Sequence, residues 1–166
     1  MIYNITENDV KVLEELLQTI GLAEKEQMQK IKKLAPGLVS YGEYTGKLKP
    51  VHIDFYSRYN HKLNKQLSNI FNIGNTNPLT IHTVNYEVGG EVLEHIDANS
   101  MNTFVIMLDD NFKGGDFYLN NKFVDFKKRG DIINYIGNIS PHRVEKVTDG
   151  TRKVLVVWYP SEKVIT

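Results

Sequence analysis

The chain has 166 residues, 41% hydrophobic and 24% charged, with Lys plus Arg and Asp plus Glu at 20 each. That is enough for one domain with a full core, and zero net charge argues against a general basic patch, so no nucleic-acid partner is expected. With no cysteine, disulfides, Cys-ligated zinc, iron–sulfur clusters and thiol nucleophiles are excluded, and any metal must be held by His and carboxylate. No run of about 18 apolar residues occurs. The opening Met-Ile-Tyr-Asn-Ile-Thr-Glu lacks a basic region followed by an apolar one. The expectation is therefore no membrane partner, no secretory signal and a cytoplasmic location.

The first third reads as helical. Thr6 can cap a helix, with Glu7 and Asp9 at its positive end. Val10, Leu13, Leu16, Leu17 and Ile20 then form one apolar stripe that Gly21 stops. A second helix is expected over about Leu22 to Leu34, ended by Pro36-Gly37. An early strand and loop with a turn at Gly46 follow, then a strand near Val51 to Tyr56. A third helix is expected from about Ser57 to Ile73, with Leu63, Leu67, Ile70 and Phe71 inward, before the loop Gly74-Asn75-Thr76-Asn77-Pro78.

After Pro78 short extended runs alternate with turns: Leu79 to Val88, Met101 to Leu108, Asp116 to Leu119, Lys122 to Phe126, Asp131 to Ile136, His142 to Val147 and Arg152 to Tyr159. Asn120-Asn121 is a hairpin signal, and Asp149-Gly150 reads as a turn. Strands at this spacing mean a sandwich or barrel rather than a βαβ sheet. The expected class is α+β, mainly β: a jelly roll with helices packed on one outer face. One domain spans 1–166, with helical support and early strands in 1–78 and the β core in 79–160.

His95 and Asp97 sit two apart. On an extended backbone they project from one face and can grip a divalent metal. Two His and one carboxylate with open positions opposite is the ligand set of a non-haem Fe(II) oxygenase. His142, which opens a strand-like run, is the candidate third ligand. Arg152 follows ten residues later and starts the most apolar strand, sharing its face with Val154, Val156 and Trp158. A guanidinium on an inner face needs an anion, and a ligand carboxylate fits its fork of donors. Tyr86, leading into Gly89-Gly90, can add a hydroxyl.

Taken in order, Asn85-Tyr86-x-Val88-Gly89-Gly90, His95-x-Asp97, Leu108-Asp109-Asp110, Gly114-Gly115, Lys128-Arg129-Gly130-Asp131, His142 and Gly150-x-Arg152 resemble the prolyl 4-hydroxylase type of Fe(II)/2-oxoglutarate dioxygenase over residues 80–159. The resemblance implies a double-stranded β-helix, with iron ligands at His95, Asp97 and His142. It implies Arg152 on the distal carboxylate of 2-oxoglutarate, with Tyr86 in the same pocket. It further implies O2 as oxidant, ascorbate as reductant, decarboxylation of 2-oxoglutarate to succinate, and a proline-containing peptide or protein as substrate. One departure stands out: where many members carry a cosubstrate-facing Tyr, this chain has Met107, so that hydroxyl is missing or supplied elsewhere, with Thr103 and Tyr118 as candidates.

The alternatives are hydroxylation of free proline or another small molecule, or a catalytically silent β-helix binding module. A nucleic-acid demethylase of the AlkB type is disfavoured, because its second Arg would fall at Trp158. His52-Ile53-Asp54 repeats the His-x-Asp geometry, but no matching His and Gly-x-Arg follow it. His61 reads as a helix-surface residue, His82 as a core or rim histidine, Trp158 as core and Lys127-Lys128-Arg129 as a solvated turn. Asn134 on a core strand has no explanation in sequence, and residues 41–50 suggest a lid.

Overall fold

The computed structural model describes residues 2–20, 51–74 and 76–160. The expected second helix with its Pro36-Gly37 stop, the early strand with its Gly46 turn, and the lid at 41–50 lie outside the described residues.

Helix α1 spans Glu7–Ile20. Its start is a reciprocal cap: the Asp9 amide donates to Thr6 Oγ1 at 3.1 Å, and the Thr6 amide to Asp9 Oδ2 at 3.4 Å. Val10, Leu13 and Leu17 are buried as their spacing predicts. Helix α2 spans His61–Phe71, capped by Asn60, whose side chain accepts from the Leu63 amide, and closed by Asn72 in the left-handed region. It starts four residues later than the sequence suggests because Asn60 is the better cap.

The six-stranded major sheet has the order β1-β9-β5-β12-β3-β2, with β1 at Ile2–Asn4, β2 at Val51–Tyr56, β3 at Thr80–Tyr86, β5 at Asn102–Asp109, β9 at Asp131–Tyr135 and β12 at Arg152–Tyr159. The minor sheet has the order β4-β10-β7-β8, with β4 at Val92–His95, β7 at Phe117–Leu119, β8 at Lys122–Val124 and β10 at His142–Val144. A ribbon pairs β6 (Phe112–Gly114) with β11 (Val147–Gly150). All the strand pairs are antiparallel. This is the jelly-roll, double-stranded β-helix architecture, α+β and mainly β, with helices on one outer face.

Two cores follow from the period-two alternation of the major sheet. Val84, Tyr86, Val105, Met107, Ile133, Tyr135, Val154, Val156 and Trp158 point inward and meet Val92, Phe117 and Val144 of the minor sheet. The intervening residues Ile81, Phe104, Ile106, Leu108, Ile132, Leu155, Val157 and Tyr159 face outward, where α1 and α2 cover them with Val10, Leu13, Leu17, Leu63, Leu67 and Phe71. Full burial of each such aliphatic side chain contributes on the order of 1.5–3 kcal/mol.

Several expectations are corrected here. Asp149-Gly150 is not a turn but the end of β11, paired with Lys113 and Phe112. The run from His142 splits into β10 and β11, which belong to different sheets. Lys127 pairs with Asp116, Lys128 is exposed as expected, and Arg129 is only partly exposed. Its Nε donates to Glu7 Oε2 at 2.9 Å, its Nη2 to Glu14 Oε1 at 2.5 Å and its Nη1 to the Leu108 carbonyl at 2.5 Å, which clasps α1 to the sheet. Asn134 acquires its explanation: its Nδ2 donates to Asn102 Oδ1 and, at 3.0 Å, to the Thr103 carbonyl on the neighbouring strand. Asn120 and Asn121 both take positive φ, 51° and 63°, as a tight β7–β8 hairpin requires.

Candidate metal centre

His95 is the last residue of β4 and His142 the first of β10, and the two are direct cross-strand partners. Their rings lie 4.3 Å apart between centroids. Each Nδ1 is 2.8 Å from a backbone carbonyl two residues earlier, Leu93 for His95 and Ser140 for His142. A carbonyl only accepts, so Nδ1 carries the proton in both neutral rings and Nε2 is the ligating nitrogen.

Both Nε2 atoms converge on one oxygen. Asp97 Oδ1 is 3.4 Å from His95 Nε2 and 3.3 Å from His142 Nε2, and the three ligand atoms lie within 4.8 Å of one another. Ligand atoms about 2.1 Å from one ion and at right angles are about 3 Å apart. Two imidazoles and a carboxylate at these separations fit a divalent first-row metal with little movement.

Asp97 is held from several sides. Its amide donates to the Gly137 carbonyl at 2.9 Å, and its carbonyl accepts from the Ser100 amide at 3.0 Å. Thr103 Oγ1 donates to Oδ2 at 3.2 Å and is itself 2.8 Å from Ser100 Oγ. Gly137 permits this approach: a Cβ there would meet Thr103 Oγ1 at 2.4 Å and Asp97 Cβ at 2.9 Å. Burial disfavours the charged carboxylate, but the two histidines, His142 foremost, outweigh it and hold the Asp97 pKa below the ordinary carboxylate range. Burial likewise opposes charge on His142, yet the Asp97 carboxylate raises its pKa. Asp97 and His142 are buried, whereas the His95 side chain is 25% exposed.

The trio opens into a cavity lined also by Arg152, Tyr86, Tyr135, His82, Trp158, Phe117 and a set of valines. Arg152 is 1% exposed, faces inward as its strand pattern requires and pairs with Tyr86 in register. Its guanidinium lies 4.9 Å from the Tyr86 ring centroid. Gly115 makes room for it, since a Cβ there would meet Arg152 Cδ at 3.1 Å. All five residues singled out in sequence therefore reach one cavity. The second His-x-Asp does not: His52 is exposed on β2, 3.9 Å from Glu87, and Asp54 is exposed beside it. His61 is exposed, as expected.

Residues 81–160 match the family model of the 2OG-Fe(II) oxygenase superfamily. This segment is a 2OG-Fe(II) oxygenase domain. The oxygenase family implies Fe(II), 2-oxoglutarate and O2, and the donor set here suits that iron. No curated protein sequence matches the chain significantly. Among solved structures, the viral collagen prolyl hydroxylase of Paramecium bursaria Chlorella virus-1 aligns over 100% of this chain and 96% of its own, at 11% identity and TM-score 0.63. A Trichoplax adhaerens prolyl hydroxylase, in complex with a hypoxia inducible factor peptide fragment, aligns over 66% and 62%, at 19% identity and TM-score 0.52. A Burkholderia pseudomallei oxidoreductase of the 2OG-Fe(II) oxygenase family aligns over 63% of this chain, at 17% identity and TM-score 0.49, and the match spans about half of that protein, 54%. At these identities the likeness to the first two is one of fold.

Met107 is buried inside the oxygenase barrel, as the resemblance suggests, and offers no hydroxyl. Neither candidate replacement is placed to serve. Thr103 is engaged with Asp97, and Tyr118 lies outside the cavity under the Arg143 guanidinium, 4.0 Å away. Sequence reading missed Tyr135, whose ring packs 4.8 Å from that of His142. The alternation that buries Ile133 on β9 also turns Tyr135 inward, and that signal was available.

Proposed function

We propose that the chain is an Fe(II)- and 2-oxoglutarate-dependent hydroxylase of peptidyl proline, working as one domain in which residues 1–78 support the barrel. His95, Asp97 and His142 hold the iron, and Arg152, backed by the Tyr86 ring, receives the distal carboxylate of the cosubstrate. The observation that carries this reading is the convergence of three ligand atoms within 4.8 Å in a cavity that also contains a buried arginine.

When bound, iron and 2-oxoglutarate supply the oxidising chemistry: dioxygen is consumed, the keto acid leaves as succinate and CO2, and one oxygen atom enters the substrate. The chain's own part is positioning. The Leu93 and Ser140 carbonyls fix the imidazole tautomers, and Thr103 orients the carboxylate. The valine-lined wall excludes water, which strengthens the hold of Arg152 on an anion. Ascorbate serves as external reductant.

The peptide substrate is supported by the Trichoplax relative, solved with a peptide fragment, and by the viral relative named as a collagen hydroxylase. The test is a succinate assay against proline-rich peptides and free proline, read by mass for the gain of one oxygen. A peptide gaining one oxygen with matching succinate is expected. Oxygen gained only by free proline would replace the substrate class, and iron binding without succinate from any substrate would leave a silent binding module.

A further inference from the structure

One polar group of the cavity has no part in the account above. Tyr135 is 8% exposed, points inward from β9 and packs its ring 4.8 Å from that of His142 and 6.1 Å from that of Phe117. It lines the cavity together with Asp97, Tyr86 and Arg152. A phenol carries a proton at neutral pH and can donate it in a hydrogen bond. Of the neighbouring hydroxyls, that of Thr103 is committed to Asp97 and that of Tyr118 lies outside the cavity under Arg143.

A carboxylate entering a valine-lined cavity loses water, and each hydrogen bond lost must be replaced by a protein donor. Arg152 provides for one end of a dicarboxylate. Beside the ligand histidine, Tyr135 brings a phenol to the cavity. We propose that the Tyr135 hydroxyl donates a hydrogen bond to the carboxylate at the metal-chelating end of the 2-oxo acid, so that the cosubstrate is gripped at both ends. Tyr135 thereby supplies, from β9, a phenol to the cosubstrate cavity, whereas Met107 on β5 offers none. This rests on the Fe(II)/2-oxoglutarate reading given above.

The two ends can be tested separately by binding rather than turnover. The full chain, loaded with Fe(II) under anaerobic conditions, is titrated with 2-oxoglutarate and with 2-oxopentanoate, which keeps the chelating end and the chain length but lacks the far carboxylate. Tyr135→Phe keeps the ring against His142 and removes only the hydroxyl. It is expected to weaken both acids by about tenfold or more, the effect of losing a hydrogen bond to a charged group. Arg152→Met is expected to weaken 2-oxoglutarate alone. Fe(II) affinity and thermal midpoint are recorded for each variant, and both should be unchanged in Tyr135→Phe. Affinities within twofold of wild type for both acids would overturn the inference, as would a loss confined to 2-oxoglutarate or a matching loss of Fe(II) affinity. Wild-type protein that binds neither acid would overturn the function reading as well. Arg152-dependent binding that is indifferent to Tyr135→Phe would overturn only this inference.

Discussion

Thr103 Oγ1 donates to Asp97 Oδ2 at 3.2 Å, leaving Oδ1 to face both histidine Nε2 atoms. One carboxylate oxygen is thus tied to the protein while the other is presented as a ligand. Thr103→Val, which keeps the shape and removes the hydroxyl, should lower Fe(II) affinity by roughly 10–100-fold, the usual effect of losing a hydrogen bond behind a metal ligand. Thr103→Ser should restore most of it. Metal titration of the two variants checks this, and equal affinities would mean the hydroxyl does not orient the carboxylate.

The ligand trio makes a sharper demand. His142→Ala or Asp97→Ala should abolish 2-oxoglutarate consumption, since two remaining side chains cannot hold iron with the positions opposite kept open. Full activity in either variant would refute the ligand assignment.

Arg152 should act on cosubstrate capture. Removing the charge from this buried position, as in Arg152→Ala, should raise the KM for 2-oxoglutarate by about two orders of magnitude or more. Steady-state kinetics with varied cosubstrate would show it, and an unchanged KM would locate the anchor elsewhere.

Gly137 is irreplaceable for steric reasons. A methyl group there would lie 2.4 Å from Thr103 Oγ1 and 2.9 Å from Asp97 Cβ. Gly137→Ala should cost about 1–3 kcal/mol of stability, the usual effect of overpacking, and weaken metal binding with it. Chemical denaturation and metal titration of the same variant give the two numbers.

The clasp between Arg129 and α1 should show in the pH dependence of stability. The Arg129 side-chain hydrogen bond and charge lower the Glu7 pKa from 4.5. A carboxyl with a depressed folded pKa contributes stability above its unfolded pKa and loses it as pH falls through the folded value. Arg129→Met should therefore be less stable than wild type at neutral pH, with the gap closing as the pH drops below about 4. Thermal midpoints across that range test it, and a pH-independent gap would assign the effect to packing rather than to the ion pairs.

Much of this was legible in the sequence because it rests on local periodicity. The alternation along Arg152–Tyr159 placed Arg152, Val154, Val156 and Trp158 on the inner face, where they are found. The stripe Val10, Leu13, Leu17 gave the buried face of α1. The histidines and Asp97 were reached through spacing and family resemblance. What escaped depends on distant partners. Strands β1, β4 and β6 are three or four residues long and are defined by pairing rather than by pattern. Arg129 looked like part of a charged turn because the carboxylates it grips lie more than a hundred residues earlier, on α1. Thr103 as partner of Asp97, and Gly137 as the space beside both, emerge only once β5 and the loop before His142 are brought together.

The two-faced character of β12 ties biosynthesis to chemistry. Its odd-numbered neighbours Leu155, Val157 and Tyr159 fill the layer under the helices, while Arg152 reaches the opposite side. A slip of one residue in its pairing with β3 would push the guanidinium into the oily seam beneath α1 and α2 and drag leucine into the reaction chamber. Quality control over that single register is thus built into the burial of a charge, and a molecule that zips up wrongly is penalised in stability and silenced in the same stroke.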